Sequence, residues 1–401
     1  MKKRLFSGIQ PTGEVHIGNY LGAIKNWCKL LDKYDCIFSI VDYHAITADH
    51  SPEQMPQRIL QVATVDIAAG LDPERCTVFV QSHVPEHVEL AWILNTVTPI
   101  GHLERMTQFK DKAKQHRENV NAGLFAYPVL QTADILLYKG EFVPVGDDQL
   151  QHLELSREIA RKFNRRYGNI FPEPKALLSD APRVMGLDAK NKMSKSMNNY
   201  IGLIESPEVI WKKLSVAVTD PARKKRTDPG TPGICNIFHL HKYFSSDKET
   251  DWAAEGCKTA GIGCLDCKKV LSDNIIKELA PVRERAKELE DNPGYVLDVL
   301  KRGAERCREI AQKTMKEVRL SLGLNRSGHP QPQSSKTWNR RFKLAKNVHP
   351  HENPFITEIT RRLKEHAGLE VSDVIPLLTV PPRPEMGDYS LPCFTFKENF
   401  Q

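Results

Sequence analysis

The chain has 401 residues, 40% hydrophobic and 27% charged, with a formal net charge of +7. That length exceeds what one compact core fills, so two or three domains are expected. No apolar run approaches the roughly 18 residues of a membrane-spanning helix, and MKKRLFSGIQP lacks the apolar stretch and cleavage site of a secretory signal, so a cytoplasmic protein with no membrane segment is expected. The positive balance favours a polyanionic partner such as nucleic acid without requiring one.

RLFSGI (4–9) reads as a short strand running into the turn Gln10-Pro11-Thr12-Gly13, and a helix is expected from there to about Lys33. CIFSIVDYHAIT (36–47) is an apolar run ending in polar residues, the pattern of a buried parallel strand with function at its C-terminal end. A helix follows Ser51-Pro52, and CTVFVQS (76–82) is the next strand. Helices over 86–97 and 124–138 precede the strand EFVPVG (141–146) and a long helix starting near Asp147-Asp148. This alternation predicts an α/β fold with a doubly wound parallel sheet, which binds ligands at the carboxyl ends of its strands.

After about residue 205 the pattern turns helical, through PEVIWKKLSVAV, NIIKELAPVRERAKELEDN and GYVLDVLKRGAERCREIAQKTMKEVRLSLGL. The expected organisation is a first domain over 1–204, a helical second domain over 205–325, a linker over 326–354 and a tail over 355–401. The linker is rich in Pro, Ser, Asn and His and carries the basic cluster Lys336, Arg340, Arg341, Lys343 and Lys346.

A strand, a glycine-containing turn and a helix start form an anion site, because the first backbone N–H groups lack partners and the helix dipole favours negative charge. PTGEVHIGNY (11–20) fits that description. His16 and Asn19 add side-chain donors, and Gly18 leaves room for a flat base on the backbone. A phosphate or nucleotide suits this chemistry, although a histidine at a helix start is more often structural. NKMSKS (191–196) sets Lys192 and Lys195 around Ser194 in a polar loop, where two lysines usually form a solvated face. Together the two motifs are far more specific than either alone.

With FSGIQPTGEVHIGNYLGA, IVDYHAIT, ERMTQFKDK, YPVLQTADILLY, PVGDDQLQH and KMSKS in that order, residues 1 to about 325 resemble the class I aminoacyl-tRNA synthetases and, within them, the tryptophanyl-tRNA synthetases. The resemblance implies a Rossmann-like catalytic domain followed by a helical anticodon-binding domain, with L-tryptophan, ATP and tRNA(Trp) as partners and a homodimeric assembly. It implies ATP contacts for Gln10, Pro11, Thr12, His16, Gly18 and Asn19, joined by Lys192, Met193, Ser194, Lys195 and Ser196. Catalytic roles fall on His16, Asn19, Lys112, Lys192 and Lys195, with the lysines binding the leaving pyrophosphate. Mg2+ is held mainly by ATP, so no protein cage is expected. The tryptophan carboxylate attacks the α-phosphorus, and a tRNA ribose hydroxyl then takes the acyl group. Such chemistry needs alignment and neutralisation of phosphate charge more than proton transfer.

Tyr127 and Asp134 stand two helical turns apart and share a face, as does Gln131. Asp134 can accept the indole N–H, and leaving a buried acceptor unpaired is costly, which rejects amino acids without that donor. By resemblance, Tyr127 and Gln149 meet the ammonium and carboxylate ends of tryptophan, and Phe6, His44 and Val145 line the ring pocket. The tyrosyl enzyme is the nearest rival; Asp134 in TADILLY and the GIQPTG opening argue against it.

Of nine cysteines, Cys235, Cys257, Cys264 and Cys267 form the series C-x21-C-x6-C-x2-C. In a reducing compartment this spacing points to a metal site, and four thiolates suit zinc or an iron–sulfur cluster equally well. Some bacterial tryptophanyl-tRNA synthetases carry a 4Fe–4S cluster in the anticodon-binding domain, and TDPARKKRTDPGTPGICNIF with CLDCKK resembles theirs, so the resemblance implies the cluster, with Zn2+ the alternative. The run Arg223-Lys224-Lys225-Arg226 beside it is a solvated face or a phosphate contact.

The tail departs from this pattern. FITEITRRLKEHAGLE and PPRPEMGDYSLPCF resemble the opening of the N-terminal additional domain of arginyl-tRNA synthetases, of which about the first half is present. It reads either as an appended tRNA-binding module or as a partial remnant of a fusion.

Overall fold

The computed structural model describes residues 2–107, 120–146, 149–178, 184–195 and 197–324. Lys112, Ser196, the Asp147-Asp148 helix start and the whole linker and tail lie outside the described residues.

Five strands form one parallel sheet: β1 (Arg4–Ile9), β2 (Asp35–Ile40), β3 (Cys76–Val80), β4 (Phe142–Val145) and β5 (Lys175–Leu178). Their order is β3-β2-β1-β4-β5, with Leu5 opposite both Cys36 and Phe142. The chain first builds outward from β1 through β2 and β3, then returns to lay β4 on the other side of β1. That reversal is the switch point of a doubly wound sheet, where a crevice opens at the strands' carboxyl ends.

Strand periodicity sorts the core into two layers. Leu5, Cys36, Phe38, Ile40, Val78 and Val80 face one side, where Trp27 and Val62 cover them. Phe6, Ile37 and Phe79 face the other, against Leu90, Leu94, Val129 and Tyr138. Helices on both faces explain why β2 and β3 read as continuous apolar runs.

Several boundaries differ from those expected. The run 36–47 leaves the strand at Ile40 and turns helical over Asp42–Ala45. The Asp42 carboxylate accepts the backbone N–H groups of Tyr43 at 3.1 Å and Ser82 at 3.0 Å, tying that turn to the end of β3. β3 itself stops at Val80, before a 3-10 turn over Gln81–His83. The first helix is composite, Ile17–Asn19 then a π-turn Tyr20–Ile24 then Lys25–Leu30. β5 was not anticipated, because KALL lies half exposed on the sheet edge and carries no buried apolar run.

Beyond β5 the described helices are Pro207–Val216, Asn236–Phe244, Asp247–Lys258, Cys264–Glu290 and Pro293–Ser321, joined by loops. The last of these lies directly on β3. A β-carbon on Gly303 would stand 2.0 Å from the Val78 carbonyl oxygen, so only glycine allows the approach. Arg306 from the same helix meets Thr77 and, at 2.6 Å, Asp35, while Arg319 pairs with Glu89. Among the described residues no helix is long and apolar enough to cross a membrane.

Candidate active site

The first motif closes on itself. His16 is the N-cap: its Nδ1 accepts the Asn19 N–H at 3.3 Å, and its own N–H donates to Asn19 Oδ1 at 3.2 Å. An accepting Nδ1 leaves the ring hydrogen on Nε2, which is therefore a donor. Burial, and then the charges of Lys195 and Lys192, push the His16 pKa down to about 4, so the ring is neutral at physiological pH. A β-carbon on Gly18 would stand 2.9 Å from His16 Nδ1 and 3.5 Å from Met193 Cβ. A side chain at position 18 would thus meet the imidazole, so glycine here lets His16 fold back as its own N-cap.

The two motifs meet through backbone. Ile17 N–H donates to the Ile201 carbonyl at 2.9 Å and Leu203 N–H to that of Val15 at 3.0 Å, so His16 pairs with Gly202 in a short antiparallel bridge. Lys195 lies over Gly13, its Nζ 3.1 Å from where a β-carbon would be. Burial brings the Lys195 pKa down to about 8, with Arg58 adding to it and Glu14 opposing. Met193 is buried and its N–H donates to the Val184 carbonyl at 3.0 Å. The loop is shaped by Asn199, whose Oδ1 accepts the Ser194 N–H at 2.8 Å and whose Nδ2 donates to the Lys192 carbonyl at 3.3 Å. Asn199 was not singled out from sequence; the asparagine pair after the lysine loop was its only signal. Pro11 is buried, whereas Gln10 and Thr12 are exposed.

A cavity of about 340 Å³ opens at the carboxyl ends of β1 and β4. Phe6, His44, Tyr127, Asp134, Val145 and Gln149 all line it, together with Gln10 and Gln131. Gly22 and Ala23 of the π-turn form part of the wall. The Tyr127 hydroxyl is 2.8 Å from His152 Nε2, and its ring meets His44 edge-on at 6.2 Å.

Asp134 is 1% exposed and accepts from three side chains. His44 Nε2 donates to Oδ2 at 2.9 Å, while Gln81 Nε2 and His87 Nδ1 donate to Oδ1 at 2.7 Å and 2.6 Å. Burial opposes ionisation, but the hydrogen bonds of His44 and His87 outweigh it and hold the carboxyl well below the usual range. Gln81 and His87 were missed from sequence. Gln81 follows a strand's carboxyl end, a position that marks ligand sites; His87 gave no signal.

The four spaced cysteines lie at helix ends. Cys235 precedes Asn236–Phe244, Cys257 is near the end of Asp247–Lys258, and Cys264 and Cys267 open Cys264–Glu290. Burial and then the nearness of Cys235, Cys257 and Cys264 push the Cys267 thiol up to about 12. All four are unbridged, and among the described residues no three His, Cys, Asp or Glu side chains stand close enough to hold one metal ion. Two buried cations flank the thiols. Lys268 donates to the carbonyls of Ser215 at 2.8 Å and Ala217 at 2.7 Å, and Arg223 donates to that of Ile262 beside Cys257. Arg223 is therefore no part of a solvated basic face: the chain turns it inward, leaves Lys224 and Lys225 exposed, and pairs Arg226 with Asp266 at 3.2 Å.

The family model of class I tRNA synthetases (W and Y) matches residues 1–280. The tryptophan–tRNA ligase of Deinococcus radiodurans is 51% identical over 325 residues, covering 80% of this chain and 98% of that protein. The tryptophan–tRNA ligase of Thermotoga maritima is 43% identical over 326 residues, covering 80% and 99%. The crystal structure of Campylobacter jejuni tryptophanyl-tRNA synthetase complexed with ADP and tryptophan aligns with a TM-score of 0.72 at 37% identity, covering 80% of this chain and 100% of that one. The sheet order, the paired loops and these likenesses define a class I tRNA synthetase. Within that class, the chain belongs to the tryptophan–tRNA ligase family.

Proposed function

We propose that the chain activates L-tryptophan with ATP, forming tryptophanyl-adenylate and pyrophosphate, and then transfers the tryptophan to tRNA(Trp). The observation that carries this is the meeting of the His16 turn and the Lys192–Lys195 loop beside a cavity with Asp134 in its wall. His16 Nε2–H and Asn19 donate to ATP phosphate oxygens, and Lys192 and Lys195 neutralise charge on the departing pyrophosphate, with Lys112 assigned to the same task. Gln10, Pro11, Thr12 and Gly18 serve the nucleotide together with Met193 and Ser194, and Ser196 is assigned to the same ligand. Mg2+ rides on the ATP phosphates. Asp134 takes the indole N–H, Phe6, His44 and Val145 enclose the ring, and Tyr127 and Gln149 meet the polar ends of the amino acid. Amino-acid-dependent ATP–pyrophosphate exchange tests the assignment. Exchange with tyrosine and not tryptophan would overturn the substrate, and none with any amino acid would overturn the enzyme.

Residues 1–204 then carry catalysis and 205–325 read the anticodon. By resemblance, Cys235, Cys257, Cys264 and Cys267 are assigned to a 4Fe–4S cluster, with Zn2+ the alternative, since four thiolates suit either centre. Lys268 and Arg223 supply buried positive charge beside such an anionic centre. When bound, the cluster supplies a cross-link between helix ends. Anaerobically purified protein is expected to absorb near about 400 nm, and a colourless protein rules the cluster out. Val88 and Trp92, one helical turn apart and 47% and 73% exposed, favour burial in a homodimer. The exposed Lys224 and Lys225 suit tRNA phosphates. ATP and tRNA as substrates favour a cytoplasmic setting.

A further inference from the structure

Behind Asp134 a buried series of hydrogen bonds runs away from the cavity. His87 Nδ1 is 2.6 Å from Asp134 Oδ1, and His87 Nε2 is 2.6 Å from the Tyr138 hydroxyl. Cys307, carried by the helix Pro293–Ser321, belongs to the same buried layer as Tyr138. His87, Tyr138 and Cys307 are each 0% exposed, and none lines the cavity.

The directions of these bonds follow from the groups. A carboxylate only accepts, so His87 donates from Nδ1. With its hydrogen there, Nε2 accepts from the Tyr138 O–H. The rings are held in plane by packing: Tyr138 stacks on Phe6 at 5.5 Å and His87 on Phe79 at 5.8 Å.

A carboxylate offers about four lone-pair sites. His87 and Gln81 take both on Oδ1, and His44 takes one on Oδ2. Among the described residues, the second lone pair of Oδ2 is the one left for a ligand. We propose that Tyr138 and His87 form a one-way donor series that fixes the Asp134 carboxylate with this lone pair presented to the cavity, and so set the preference for a substrate ring bearing an N–H. They are positioning residues, since substrate touches none of them. The inference rests on Asp134 being the acceptor for the indole N–H.

The test compares tryptophan with its 3-benzothienyl analogue, in which sulfur replaces the N–H, by kcat/KM in ATP–pyrophosphate exchange. The unaltered enzyme is expected to prefer tryptophan by on the order of 100-fold or more. Tyr138→Phe keeps the ring and breaks the series; it is expected to narrow that preference roughly tenfold, chiefly through KM for tryptophan. Equal losses on both substrates in Tyr138→Phe would overturn the proposal and leave these residues as packing. An unaltered enzyme that does not distinguish the two substrates would instead overturn the role of Asp134 itself.

Discussion

The Lys195 ammonium stands close enough to His16 for its charge, after burial, to help hold the imidazole pKa near 4. Residues far apart in the sequence thereby share one electrostatic environment, in which the histidine stays neutral and the lysine provides the charge. The lysine is itself perturbed, to about 8.

The pH dependence of nucleotide binding follows. His16 is neutral throughout the working range and contributes no inflection near about pH 6.5, where a free histidine titrates. Lys195 is charged below its pKa of about 8 and loses that charge above it. Attraction for phosphate is therefore present at low pH and lost as pH rises, so kcat/KM for ATP should fall on the alkaline side. Lys195→Arg should remove this limb, because a guanidinium keeps its proton to above about pH 12. An alkaline limb unchanged in that variant would count against Lys195.

Capping and donation by His16 separate by substitution. His16→Ala loses the bond to the Asn19 N–H and should lower stability by about 1 kcal/mol, measured by denaturant unfolding. His16→Asn supplies another capping oxygen and should recover most of that stability. Both should lose roughly 100-fold in exchange rate, because neither places a donor where Nε2–H stands. Full activity in the asparagine variant would reduce His16 to a cap.

Asp134→Ala strands His44, Gln81 and His87 together. Buried donors without acceptors should cost about 1–3 kcal/mol in addition to the loss of tryptophan recognition. Asp134→Asn keeps an acceptor oxygen and should fall between. A stability equal to the unaltered protein in Asp134→Ala would show that the three donors find other partners.

Gly303→Ala tests the seating of the last long helix. Its β-carbon would meet a β3 carbonyl at 2.0 Å, a backbone atom that cannot swing aside. The helix must lift, and about 1–3 kcal/mol of lost stability is expected, read as a lower unfolding midpoint. Substituting the exposed Arg285 in the same way should leave the midpoint within about 0.5 kcal/mol.

The sheet was largely legible because β2 and β3 are covered on both faces and write continuous apolar runs. β5 was not, since an edge strand of four half-exposed residues leaves no such mark. In the site, the residues facing the cavity could be read from motifs with a fixed order. Gln81, His87 and Asn199 could not, because each acts on another protein atom brought near only by folding. Arg223 misled for the same reason: within a run of four basic residues, nothing local distinguishes the one that turns inward.

The helix Pro293–Ser321 brings Ala304, Cys307, Ala311 and Met315 onto the layer that contains Phe79, Leu90 and Leu94. During synthesis those residues of the sheet side emerge early, while their cover is among the last of the described chain to leave the ribosome. The nascent protein therefore carries a wet apolar face through most of its translation, with the His16 turn and the Lys192–Lys195 loop already made and the sheet beneath them unsealed. That face is sealed late, when the helix Pro293–Ser321 returns to β3.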